Sequence, residues 1–222
     1  MVDRFLKAKH WQIFLFGVGI PFVLQMILFG LIVGQIANLQ NAENPASAFL
    51  SSGIIGSYLG IFAISFLSFF ILYGWMYSIG VGLKKYLPAD VHSRTKFFVF
   101  CLVFPIAYIF LFLFLYFQAF TSMIGWESST PEAAFGGMMG MFFLIIPLHL
   151  FAMFCGIYVL RFVAKIIKSV ELQRRARFSD YIGYFFLVWF YPIGIWILQP
   201  EINKIVSGEN ADPVSEDGVL DA

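Results

Sequence analysis

His149 is the one ionisable residue set deep within an apolar run of this chain, and Gln25 lies at a similar depth in another. A titratable group in hydrocarbon is costly to keep, so it marks a functional hypothesis: a proton relay or a contact for a polar substrate. The residues at helical spacing from His149, namely Ile145, Ala152 and Gly156, leave room for a facing helix. Gln25 sits roughly 14 residues, or 20 Å of helical rise, from one end of its run, and His149 about 13 from the opposite end of its own. Equal depth predicts a hydrogen bond between the two. A histidine kept for structure alone is the plainer alternative.

A second set is cationic. In "RFVAKIIKSVELQRRAR", residues 161–177, Arg161, Lys165, Lys168 and Arg175 recur at helical spacing, joined by Arg174 and Arg177, with Phe162, Val163, Ile166, Ile167 and Val170 on other faces. This amphipathic pattern fits a contact with anionic lipid or an acidic partner at the cytoplasmic surface. Its simplest role is to fix topology.

Other chemistry is harder to assemble. The chain has no GxSxG, no HExxH, no phosphate-binding glycine loop and no pair of buried carboxylates, so neither an activated nucleophile nor a metal site can be built on paper. His10 and His92 both fall at the inner boundary of the apolar runs and cannot share a plane with His149, which disfavours haem. The methionines of "GGMMGMFF" lack a nearby Cys or His and read as flexible packing. Cys101 and Cys155, within apolar runs, behave as small hydrophobes. No cofactor is expected, no nucleic acid is implied, and the chain reads more readily as a non-enzyme.

The elements that would position these residues follow from composition. Of 222 residues 60% are hydrophobic, 29 are Phe and only 12% carry a charge, about half the usual charged share. An apolar run needs about 20 residues to cross roughly 30 Å of hydrocarbon. Four runs pass easily, at 11–37, 54–83, 97–124 and 136–164, and a fifth, at 181–198, is just long enough. The first is far longer than a signal-peptide core, so it reads as a retained span. Lys and Arg crowd the N-terminus, the 84–96 connection and the segment after Ala164, while the connections "NLQNAENPASAFLSS" and "GWESSTPEAAF" have none. The basic connections are retained in the cytoplasm.

The expected fold is therefore an all-α integral membrane protein: a bundle of five transmembrane helices in one domain, residues 1–206. The alternative is four spans plus a re-entrant C-terminal segment. Five crossings leave the C-terminus outside and the N-terminus cytoplasmic. Residues 207–222, with five acids and no base, read as a disordered tail. Its acids lack the spacing of a calcium loop.

Two further patterns concern packing. Glycines four apart occur at Gly30 and Gly34, Gly56 and Gly60, and Gly136 and Gly140, and predict close approach of spans one, two and four. Pro21, Pro105, Pro147 and Pro192 are candidate kinks, each leaving a carbonyl four residues back without its donor. "FFVFCLVFPIAYI" in the third run is similar to "FFLVWFYPIGIWI" in the fifth. A repeated two-helix unit would place Pro105 and Pro192 in equivalent positions.

The run from Phe178 to Asn203, "FSDYIGYFFLVWFYPIGIWILQPEIN", resembles the C-terminal end of uncharacterised multispanning bacterial membrane proteins carrying a WFxPIGIWxxQPxxN signature. Where those proteins commonly follow Gln-Pro with a basic residue, this chain has Glu201. The resemblance implies a bacterial inner-membrane protein and no particular activity. The leading functional expectation is a non-enzymatic scaffold or accessory subunit that binds other membrane components, whether lipids, membrane proteins or further copies of itself. A small transporter using His149 and Gln25 is the alternative, and a membrane-embedded lipid-modifying enzyme comes third.

Overall fold

The computed structural model of the chain describes residues 2–39, 53–91, 93–124 and 131–208, with side chains described for all of these but 119–124, 131–138 and 141. Every regular element among them is helical. A short α1 (Val2–Leu6) precedes α2 (His10–Leu39), α3 (Ile54–Gly82, prolonged by a 3-10 turn at Leu83–Tyr86), α4 (Thr95–Ile124), α5 (Pro131–Glu171), α6 (Phe178–Trp189) and α7 (Tyr191–Ser207). Four stretches are long and apolar enough to cross a membrane: His10–Leu39, Ile54–Tyr86, Thr95–Gln118 and Phe142–Glu171. They lie on the first four expected runs. The acidic tail beyond Gly208, residues 40–52 and 125–130 of the two base-free connections, and His92 lie outside the described residues.

The prolines act differently from one another. Before Pro21 the helix widens into a π turn over Leu15–Gly19, where the Ile20 N–H donates to the Leu15 carbonyl five residues back. This wide turn absorbs the donor that Pro21 lacks without ending the helix. Pro105 and Pro147 sit inside helices that run on unbroken.

Pro192 does not, and here the expectation of one fifth helix is corrected. The chain leaves helical geometry at Phe190, with φ −89° and ψ 53°, and Pro192 stands in the first turn of a new helix. The expected equivalence with Pro105 fails for a steric reason. A Cβ on Gly194 would lie 1.8 Å from the Leu187 carbonyl oxygen, so the turn needs a residue with no side chain. Two positions after Pro105 the chain has Ala107 instead, and the helix continues. Beyond the turn, α7 packs back against α6 and reaches α1 and α2.

The core is concentrated at one end of the bundle. Trp75, Ile79, Phe98, Cys101, Val163 and Ile167 are buried together, at the end where the basic connections and α1 also lie. Farther along the helices Phe22, Phe29, Leu59, Phe117, Phe143 and Leu150 are exposed. Helices that are apolar all round are at home in hydrocarbon, where such faces need no protein partner.

The glycine expectation is corrected too. Nothing stands within 4 Å of a Cβ built on Gly30, Gly34, Gly56 or Gly140, and only Gly60 meets a neighbour, Leu28, at 3.0 Å. Gly136 lies outside the residues whose side chains are described. The close approaches come instead at Gly80, where a Cβ would sit 2.4 Å from the Phe98 ring, and at Gly82, 2.6 Å from Leu6. Packing is tightest where Phe98 and Leu6 are inserted, and of the five outer glycines described only Gly60 meets a side chain.

Candidate functional site

The two mid-depth polar residues do not meet each other. The Gln25 amide donates to Ser65 Oγ at 2.9 Å, and Ser65 in turn donates to the Ile61 carbonyl at 2.8 Å. His149 Nδ1 lies 3.1 Å from the Tyr108 hydroxyl. One pair ties α2 to α3 and the other ties α4 to α5, the two couples with the most extensive packing. The expected Gln25–His149 hydrogen bond is thus replaced by two separate ones. Each residue finds a hydrogen-bond partner on an adjacent helix, as an apolar setting favours.

At the basic end the C-terminal hairpin grips the N-terminus. Gln199 is fully buried; its Oε1 accepts from Trp75 Nε1 at 2.8 Å, and its Nε2 faces the carbonyls of Phe5, Leu6 and Ala8 at 3.1, 3.2 and 2.9 Å. Asn203, one turn on, donates to the same Ala8 carbonyl at 3.2 Å. The Phe5 carbonyl also accepts the Ala8 N–H at 3.3 Å; the two amides thus supply donors to carbonyls at and just past the C-terminal end of α1 and cap it. Trp196 closes the contact against the rings of His10, 4.8 Å away, and Phe14, 5.4 Å away. The PIGIWxxQPxxN residues are therefore a structural device: turn, aromatic seat and cap.

The cationic segment makes a site. The fourth long helix carries Arg161, Lys165 and Lys168 well past the apolar stretch, then turns at Gln173, whose φ of 47° reverses the chain. The Gln173 amide donates to the Val170 carbonyl at 2.7 Å, and the Ala176 N–H donates to the buried Ser169 Oγ at 3.1 Å. This fold-back lays Arg175 over α5. Across from it, Ser93 and Thr95 share a 3.1 Å hydrogen bond at the start of α4 and hold Arg94 between them.

The result is a cavity of about 170 Å³ lined by Arg94, Arg161, Lys165 and Arg175, with Ser93 and Ser169 among its polar walls and Leu87, Val91 and Phe162 among its apolar ones. Arg161 is aimed by its Nε, which donates to the Tyr181 hydroxyl at 2.9 Å, and among the described residues its two terminal nitrogens meet no acceptor. Among the described residues none of these four cations is in an ion pair. Nearby cations are neutralised: Lys168 meets Glu171 at 2.6 Å and Arg174 meets Asp180 at 2.9 Å. The Asp180 carboxylate also accepts the Arg177 N–H at 2.8 Å, an N-terminal cap for α6. Asp180 is held below the usual carboxylate range by the Arg174 hydrogen bond first and the Arg177 N–H second.

Of the six cations singled out in the sequence, Arg161, Lys165 and Arg175 come together, while Lys168, Arg174 and Arg177 do not line the cavity. Arg94 completes it from 67 positions before Arg161. Its signal was present only as one charge in a basic connection. A cavity with four unpaired cations and two hydroxyls recognises an anion with several acceptor oxygens, as in phosphate recognition. The cations and hydroxyls of the lining suit the binding of such an anion.

No family model, curated protein or solved structure matches this chain. Among the described residues, the fold and the site define a helical protein with four helices able to cross a membrane and a basic cavity at one end.

Proposed function

We propose that this is an integral membrane protein of four crossings that works without chemistry of its own, as an accessory protein holding an anionic ligand in the basic cavity. The observation that carries the reading is the convergence of Arg94, Arg161, Lys165 and Arg175 without a carboxylate among them. Like charges gathered this way repel one another, and an anion relieves the repulsion. Basic pockets between helices on the cytoplasmic side suit lipid and phosphate headgroups.

The topology that goes with this reading has the N-terminus, both basic connections and the C-terminal tail in the cytoplasm. The C-terminal hairpin then enters from the cytoplasmic side and returns, because Gln199 and Asn203 hold α7 against α1. This replaces the expected fifth crossing with its re-entrant alternative. The cell membrane of a bacterium is the setting that the C-terminal resemblance favours. A transporter built on Gln25 and His149 loses support, because the two residues bond to separate partners.

The test is thermal unfolding of the purified protein in neutral detergent against inorganic phosphate and against vesicles of anionic lipid. Either ligand raises the midpoint of the wild-type protein, and the shift vanishes in the Arg161→Gln, Lys165→Gln double variant. No shift with either ligand overturns the reading. Fusions after Ala222 test the topology: a fluorescent reporter lights up and alkaline phosphatase stays inactive, whereas an active phosphatase restores five crossings.

A further inference from the structure

The cavity is too small for a whole lipid, yet it does not end in a blank wall. Its volume, about 170 Å³, falls below the roughly 300–1,000 Å³ of pockets that enclose a complete drug-sized ligand. A headgroup fits; anything attached to it must leave. Two of the lining side chains, Tyr158 and Phe162, are themselves the first rings of an aromatic track, with centroids 6.2 Å apart.

From Tyr158 the track climbs along both helices toward mid-depth. Phe97 of α4 stands edge-on to Tyr158 at 4.8 Å, and Phe154 of α5 follows at 6.4 Å. Phe100 lies 6.1 Å from Phe97, Phe151 lies 6.1 Å from Phe154, and Phe100 and Phe151 meet across the two helices at 6.3 Å. Phe97, Phe100, Phe151 and Phe154 are all exposed. From Phe151 to Phe162 the helix rises roughly 16 Å, close to half of the roughly 30 Å hydrocarbon core, which is the depth of one leaflet.

We infer that the cavity and the track together form one site for a phosphomonoester lipid of the cytoplasmic leaflet, its phosphate among Arg94, Arg161, Lys165 and Arg175 and one chain along the rings from Tyr158 to Phe151. This rests on the anion-binding reading above and adds the identity of the ligand. A phosphomonoester carries about −1.5 to −2 near neutral pH, which matches four cations better than the single charge of a diester. The rings give the chain a fixed apolar wall in place of mobile lipid tails.

The experiment measures binding of two probes to the purified protein by native mass spectrometry and thermal shift: inorganic phosphate, and phosphatidate with two full-length chains. Phosphatidate binds at least tenfold more tightly than phosphate, and more tightly than phosphatidylglycerol. Phe100→Ala with Phe154→Ala removes most of that gain and leaves phosphate binding unchanged; both side chains are exposed, so the core is not cut. Phe143→Ala, at an exposed site off the track, changes neither probe. Equal affinity for phosphate and phosphatidate, or a gain that survives loss of both rings, overturns the lipid site and leaves the anion-binding reading standing. Phosphatidylglycerol binding as tightly as phosphatidate overturns the phosphomonoester assignment. Binding of neither phosphate nor any anionic lipid overturns both readings.

Discussion

Trp75 and Gln199, 124 positions apart in the chain, share a buried hydrogen bond of 2.8 Å that joins the third helix to the last. Through the other end of the same amide the bond extends to the carbonyls closing α1. One side chain thus holds three elements together, and it is fully buried.

Replacing Gln199 with Leu leaves the Trp75 N–H and the Leu6 carbonyl without the partner it supplied, while the Phe5 and Ala8 carbonyls keep the Ala8 N–H and the Asn203 amide as donors. The expected loss is roughly 2–4 kcal/mol, given about 1–3 kcal/mol for each buried polar group left unpaired and partial rescue by water at the bundle end. Trp75→Phe removes only the donor and costs less. A double-mutant cycle on the two positions, read by reversible unfolding in detergent, shows a coupling above about 0.5 kcal/mol. Strict additivity would mean that the bond contributes nothing.

Gly194→Ala tests the steric origin of the C-terminal turn. The added methyl would meet the Leu187 carbonyl oxygen at 1.8 Å, and because the obstacle is backbone it cannot swing aside. The loss is about 3 kcal/mol, the upper part of the range for overpacking. The hairpin should also open, so a cysteine placed at the buried Ile205 becomes more reactive toward a water-soluble maleimide. The reverse change, Ala107→Gly, leaves α4 continuous and costs about 1 kcal/mol of helix propensity.

Glycines separate into two classes by what surrounds them. Gly80→Ala and Gly82→Ala drive a methyl into Phe98 or Leu6 and lose about 1–3 kcal/mol each. Gly30→Ala and Gly34→Ala enter open space and leave the midpoint unchanged or slightly raised. If the outer pairs proved the sensitive ones, an association between copies through those faces would have to be invoked.

Asp180 gives a pH signature. Its carboxyl titrates below the usual range because Arg174 and the Arg177 N–H stabilise the charged form. A depressed folded value contributes stability above the unfolded value of about 3.9, and that contribution is lost as pH falls through the folded value. Asp180→Asn is therefore less stable than the wild type at neutral pH, and the gap between their unfolding midpoints closes as the medium is taken below about pH 4. A gap that stays constant to pH 3 would exclude the charge as its cause.

The four long helices were legible because a membrane crossing demands only length and apolarity, both of which are local. Of the amphipathic segment 161–177 the part up to Glu171 was legible, because Arg161 and Lys165 announce themselves by helical spacing, whereas Arg175 reaches the cavity only through the turn at Gln173. Arg94 was not, because nothing local says that the start of α4 lies opposite Arg161. The break at Phe190 was hidden by its likeness to the Pro105 region, where the deciding difference is one methyl group two residues after the proline. Gln199 was read within a signature but given no task, since its partners are backbone carbonyls that carry no mark in the sequence. The Gln25–His149 pairing failed because equal depth does not make two residues neighbours.

The grip of Gln199 and Asn203 on the carbonyls of residues 5 to 8 also orders events in time. The N-terminal helix leaves the ribosome first and α7 last among the described elements, so α1 must wait for its cap until nearly the whole chain has been made. During synthesis its end is open, and the Trp75 indole beside it has no acceptor. Assembly of the basic end is thus completed after the long helices have been laid down, and a chain cut short before α7 would carry an unsealed N-terminus that quality-control proteases can seize.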